Sequence, residues 1–233
     1  MLPFKRLFSS TLGRKYLMGA TGFALALFMV IHLLENLTLY SRSGDAINGW
    51  AGLLEALGIV KTLLELGLAS VIVIHIITAI QVTLHSKAAR PIGYDSLKTK
   101  GGATKNTVTS RNMIITGLVL LVFLAVHLYQ FRFGPKMEDG YTAMVAGQSV
   151  LDLYRIVVET FVQIKWVIFY VVSMFFLGFH YRHGFWSSFQ SLGMMNPRWS
   201  KPIHALGLII AVLMTIGFLM IPIYIYSTQG GKV

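Results

Sequence analysis

The stretch YLMGATGFALALFMVIHLLENLTLY, Tyr16 to Tyr40, carries no Asp, Glu, Lys or Arg until Glu35. A helix needs about 20 apolar residues, rising roughly 1.5 Å each, to cross a bilayer core. This run is long enough. A signal peptide is excluded, because the one small-residue cleavage pattern, Ala24-Leu25-Ala26, lies inside the apolar run and not after it. Four more apolar runs follow: Thr62–Ser86, Asn112–Phe131, Phe161–Gln190 and Ile203–Tyr226. In lipid a backbone must satisfy its own hydrogen bonds, and the alternation of a transmembrane barrel is absent, so each run is expected to be a helix. The expected architecture is an all-α, five-helix transmembrane bundle forming a single domain over residues 1–233. Its helices are placed at about 16–40, 62–86, 112–131, 161–190 and 203–226.

Composition agrees. Of 233 residues, 55% are hydrophobic and only 12% charged, with a mean hydropathy of +0.66. A disordered chain, a basic nucleic-acid-binding domain and an ordinary soluble enzyme are excluded. The net charge of +11 belongs instead to loops at the membrane surface. There is no cysteine, which removes disulfides, cysteine-held zinc, iron–sulfur clusters in this chain and c-type haem attachment. With the N-terminus inside, the inner segments Met1–Lys15, Lys87–Arg111 and Arg182–Lys201 hold thirteen of the 20 basic residues, and Asp95 is their only acid. The positive-inside rule therefore favours N-in, C-out, in the cytoplasmic (inner) membrane. The connections Gly44–Ile59 and Gly134–Glu159 are expected to lie outside, the first as a short surface helix and the second similar, broken at Gly134-Pro135.

Ionisable residues inside a membrane are costly and usually functional. His32, His75, His127 and His180 fall one to each of the first four apolar runs. His32 and His127 share the outer half. His75 and His180 lie about 11 and 10 residues, or roughly 16 and 15 Å, from the inner ends of their helices. Two histidine pairs at two depths suit two haem b groups, each iron taking one imidazole from either side. A lone membrane histidine is more often a polar helix contact or a proton relay. Spacing alone thus leaves dihaem ligation and a transporter or proton pathway both open. His183 rivals His180 or contacts a propionate; His85 and His204 sit nearer the inner ends. Gly19-Ala20 with Gly22 admits either a haem edge or close helix packing. Glu35, one turn beyond His32, is a candidate for the proton step at a quinone site, and Glu65 is a weaker one. Arg14, Lys15, Arg90 and Arg182 are propionate or partner contacts, or ordinary interfacial charges.

The sequence resembles the cytochrome b membrane anchor of succinate dehydrogenase and fumarate reductase, in its single-chain, five-helix, two-haem form. The resemblance covers nearly the whole chain. It is carried by Gly19-Ala20-Thr21-Gly22 with His32-Leu33 and Asn36, by His75 with Ala79 and Ala89-Arg90-Pro91, and by His127-Leu128-Tyr129. The most specific element is Phe179-His180-Tyr181-Arg182-His183-Gly184-Phe185-Trp186-Ser187-Ser188-Phe189-Gln190. The family pattern puts the ligand four residues before the glycine of the Gly-aromatic-Trp-Ser element, which selects His180. The resemblance implies that His75 and His180 hold the inner haem and His32 and His127 the outer one. It implies a flavoprotein subunit with covalent FAD and an iron–sulfur subunit on the cytoplasmic face, the basic loop Lys87–Arg111 helping to dock them. Electrons would pass between those subunits and a membrane quinone, expected as menaquinone. Some fumarate reductases of this type carry a glutamate two residues before the helix IV ligand; here that position is Gly178, so that proton path has no support. The rival readings are the cytochrome b subunit of another membrane dehydrogenase and a haem-free transporter.

Overall fold

The computed structural model describes residues 8, 10–41, 43–89 and 112–230. From Arg90 onward the basic loop expected to dock partner subunits lies outside them, as do Lys5, Arg6, Arg42 and Lys232. The order of main elements is α1 (Thr11–Asn36), α2 (Asp45–Ala56), α3 (Ile59–Ala88), α4 (Met113–His127), β1 (Thr142–Val145), β2 (Gln148–Leu151), α5 (Leu153–Phe161), α6 (Ile164–Ser191) and α7 (Pro197–Gln229). Among the described residues, five helical stretches are long and apolar enough to cross a membrane. They are Thr11–Tyr40, Ile59–Ala88, Met113–Arg132, Ile164–Ser191 and Pro197–Gln229. Leu63, Leu66, Val73, Ile77 and Leu84 are all exposed on α3, an apolar face too continuous for water. The five helices mark a multi-pass membrane protein whose surroundings are lipid.

Helix ends follow local chemistry that hydropathy does not report. α1 begins five residues before Tyr16, because the Ser10 hydroxyl accepts from the Gly13 amide at 3.0 Å and caps it. α7 begins at Pro197 and not at Ile203. Asn196 Oδ1 accepts from the Arg198 and Trp199 amides, both at 3.0 Å, and Pro197 takes the first helical position, where its missing N–H costs nothing. α6 closes on Gly193 (φ +75°): the Met194 amide returns to Phe189 and that of Gly193 to Gln190, a Schellman end that only a left-handed residue completes.

By compactness the chain divides into two units. One comprises Met1–Phe28, Leu66–Gly117 and Phe179–Ala211; the other comprises Met29–Glu65, Leu118–Gly178 and Val212–Val233. In the first, buried Tyr181 donates to the Ala26 carbonyl at 3.3 Å. In the second, Leu39, Ile47, Val157, Phe161, Val167, Tyr170, Ile221 and Ile225 form a continuous core.

The second unit also holds structure outside the five long helices. α2 is the short helix expected after Gly44. The connection after Gly134 departs from expectation: it contains an antiparallel hairpin, so the chain is predominantly, not wholly, helical. β1 and β2 pair from Thr142 with Leu151 to Val145 with Gln148. Their two-residue turn has Ala146 at φ +50° and Gly147 at +79°, the primed geometry that matches strand twist. α2 packs on this hairpin through Gly52, where a Cβ would stand 2.6 Å from Val150. Asn48, 4% exposed, ties α2 to α5. Its Nδ2 donates to Asp152 Oδ1 at 3.0 Å and its Oδ1 accepts from the Tyr154 amide at 2.9 Å. Asp152 in turn caps α5 through the Arg155 amide. Asn48→Leu leaves the Tyr154 amide and one Asp152 contact unmade, so a loss of about 1–3 kcal/mol is expected, read as a lower melting temperature in detergent.

Glu159 accepts from the Tyr141 hydroxyl at 2.7 Å and from Arg155 Nε at 2.8 Å. The Tyr141 bond first, with Arg155 adding to it, holds the Glu159 carboxyl below its ordinary 4.5 against the opposing pull of partial burial. A depressed carboxyl contributes stability that is complete above the ordinary value and is lost as pH falls through the lowered one. The group is 41% exposed, so the effect is small. Glu159→Gln is expected to flatten the acid limb of melting temperature against pH between about pH 5 and 3.

Candidate functional site

The four intramembrane histidines meet in pairs, one pair in each unit. In the first unit the rings of His75 on α3 and His180 on α6 have centroids 6.4 Å apart, with planes at 74°. His75 Nδ1 lies 3.2 Å from Thr21 Oγ1, and His180 Nδ1 lies 3.1 Å from Thr116 Oγ1. Gly22 follows Thr21 and Gly117 follows Thr116. A Cβ on Gly22 would stand 3.2 Å from His75 Cε1, and one on Gly117 3.5 Å from His180 Cε1. The small-residue patch in α1 therefore divides: Gly22 makes room for His75, while Gly19 lets α1 close on Ser191 of α6.

In the second unit His32 on α1 and His127 at the end of α4 have centroids 5.9 Å apart, with planes at 85°. His127 is enclosed by rings: Phe123 stacks at 5.5 Å, Phe131 lies at 5.2 Å and Tyr170 at 6.2 Å. Tyr170 donates its hydroxyl to Gln130 Oε1 at 2.7 Å, and the Tyr170 hydroxyl oxygen lies 3.4 Å from His127 Nδ1. Directly after His127 the helix widens into one π turn, Leu128–Arg132, with the Phe133 amide returning to Leu128; such widenings recur at functional positions. His32 faces Phe218 at 5.9 Å. Its Nδ1 lies 3.6 Å from Glu35 Oε2, and Asn36 donates to its backbone carbonyl at 2.7 Å.

The remaining candidates separate. His183 turns to Trp186 (4.8 Å), whose other neighbour is His204 (4.7 Å); the ring that meets His75 is His180. His85 is 3.3 Å from the Thr11 hydroxyl and lines a 360 Å³ cavity with Arg14 and Lys15. Glu65 pairs with Arg132 at 2.8 Å in a half-exposed ion pair. Arg182 is exposed and Arg90 lies outside the described residues. Thr116, Gly117, Tyr170 and Phe123 went unmarked in the sequence. A signal was there: the dipeptide Thr-Gly occurs at 21–22 and again at 116–117, each in an apolar run.

Among the described residues no three or more His, Cys, Asp or Glu gather as a metal site. A metal held by protein alone needs three or four ligands. A pair of imidazoles suits an iron that already carries four macrocycle nitrogens. Two imidazoles bonded from opposite sides at about 2.0–2.1 Å put their ring centroids roughly 6.3 Å apart. The observed 6.4 and 5.9 Å bracket that separation. The donor sets therefore fit haem.

Comparison of the chain with protein families, with curated proteins and with solved structures finds no match in any of the three. The class of the protein is therefore drawn from its own geometry.

Gly178 has a structural role that its sequence position does not announce. A Cβ there would run into Thr215 of α7, so a long side chain has no room at this position. Gly178→Leu is expected to cost about 1–3 kcal/mol through overpacking, measured as a fall in melting temperature.

Proposed function

We propose that this chain is a dihaem cytochrome b, the membrane anchor of a succinate:quinone oxidoreductase. The single observation that carries the reading is the meeting of four histidines from four helices as two facing pairs at a separation suited to bis-imidazole iron. The resemblance of the Phe179–Gln190 run adds the choice of enzyme. His75 and His180 hold one haem b, and His32 and His127 the other. A haem held by these histidine pairs would supply a one-electron couple suited to electron transfer.

The chain's own residues do the rest. Phe123, Phe131 and Phe218 keep water from the His32–His127 pair. Glu35, beside His32, takes up or returns protons as a membrane quinone, expected as menaquinone, is turned over. The N-terminus and the basic segments face the cytoplasm, where an iron–sulfur subunit and a flavoprotein subunit with FAD dock. Electrons pass between them and the quinone in the cytoplasmic membrane.

Pyridine haemochrome on the purified, detergent-extracted chain is expected to give two b-type haems. His75→Ala and His180→Ala should each remove one and the same component from the reduced-minus-oxidised spectrum, and His32→Ala and His127→Ala the other. A folded chain without haem overturns the reading. Two haems with a co-purifying dehydrogenase of another substrate would keep the cytochrome and replace the enzyme.

A further inference from the structure

Thr21 and Thr116 stand in the same relation to the two histidines of the first unit. Both are buried, at 8% and 6% exposure. Thr21 Oγ1 donates to the Leu17 carbonyl at 2.7 Å, and Thr116 Oγ1 to the Met113 carbonyl at 3.0 Å. A backbone carbonyl can only accept, and a hydroxyl has a single hydrogen. A hydroxyl whose hydrogen goes to the helix backbone turns a lone pair to the imidazole. The nitrogen it meets is Nδ1 in both cases, at 3.2 and 3.1 Å. An oxygen that only accepts there requires a hydrogen on Nδ1.

We infer that Thr21 and Thr116 are positioning residues that fix His75 and His180 as Nδ1–H tautomers and thereby leave Nε2 of each ring as the ligating nitrogen. The inference rests on the haem reading above. Neutral imidazole carries one N–H, so a hydrogen held at Nδ1 gives Nε2 a free pair. A partner on the second nitrogen also fixes the ring plane and raises the basicity of the first. Threonine suits the task because its branched side chain is stiff in a helix and its hydroxyl bonds back to the preceding turn. The glycine that follows completes the clamp. Cε1 lies between the two ring nitrogens, and it is Cε1 that a side chain at position 22 or 117 would crowd.

The test uses the full chain carrying its haems. Thr21→Val and Thr116→Val keep the shape and remove the hydroxyl. Each is expected to raise the midpoint potential of the same haem, because an imidazole that loses an acceptor at Nδ1 is a weaker donor and favours the ferrous state; the rise is smaller for Thr21→Val, where the Met18 carbonyl also accepts from His75. Each should also shift that haem's ferric EPR signal, which reads the angle between ligand planes, here 74° between the free rings. The second haem should keep its potential and signal. Thr21→Ser and Thr116→Ser should restore both properties. Unchanged potential and EPR signal in both valine variants, with two haems bound, overturns the inference and leaves the haem reading standing. If a valine variant loses the haem, the serine variant decides: recovery supports the hydroxyl's role, and continued loss overturns it. A wild-type chain without haem overturns the haem reading and this inference with it.

Discussion

A neutral imidazole inside an apolar bundle must place two nitrogens, one donating and one accepting, where no water answers either. Leaving one such group unpaired costs about 1–3 kcal/mol. The membrane helices of this chain solve half of that problem four times. Thr21, Thr116 and Tyr170 each bring an oxygen to Nδ1 of a histidine on a neighbouring helix, and Asn36 brings its amide nitrogen to within 3.4 Å of the His32 ring nitrogens from its own helix. In each pair the rings then stand opposite one another.

Apolar length was enough to read the five long helices, because nothing but a helix keeps a backbone satisfied through that many apolar residues. Their ends were less legible. Hydropathy is silent about Ser10, and it treats Pro202 as a barrier when the start signal is Asn196-Pro197 six residues earlier. The hairpin was invisible for a related reason. Its strands are four residues each, and what makes them pair is the backbone at Ala146 and Gly147, not a pattern of apolar side chains. Asn48 could not be foreseen either, since its partners Asp152 and Tyr154 lie more than a hundred residues away in sequence.

For the four histidines, the meeting of His32 with His127 and of His75 with His180 was legible from their depths in the apolar runs. Their neighbours were not. A threonine in the middle of an apolar helix looks like one that merely bonds its own backbone. Thr21 and Thr116 do bond it, and this hides their second role. The backbone bond uses the hydrogen and so decides which face of the oxygen the imidazole meets. Tyr170 is similar: by composition it is one more aromatic among many, and only the fold brings its hydroxyl to both Gln130 and His127.

The choice between His180 and His183 illustrates where spacing ends and structure begins. Three residues along a helix turn the side chain by roughly 300°, which leaves the two rings about 60° apart on the same face. Both are therefore turned inward, and neither burial nor hydropathy separates them. What separates them is the neighbour each direction meets. His180 points to α3, where His75 waits with its own threonine. His183 points to Trp186 and, beyond it, His204 on α7. His180 lies against His75 with its Nδ1 beside the Thr116 hydroxyl, while Nδ1 of His183 is buried with no hydrogen-bond partner among the described residues. The same helix period that makes the two histidines look equivalent in sequence sends them to different sites in the fold.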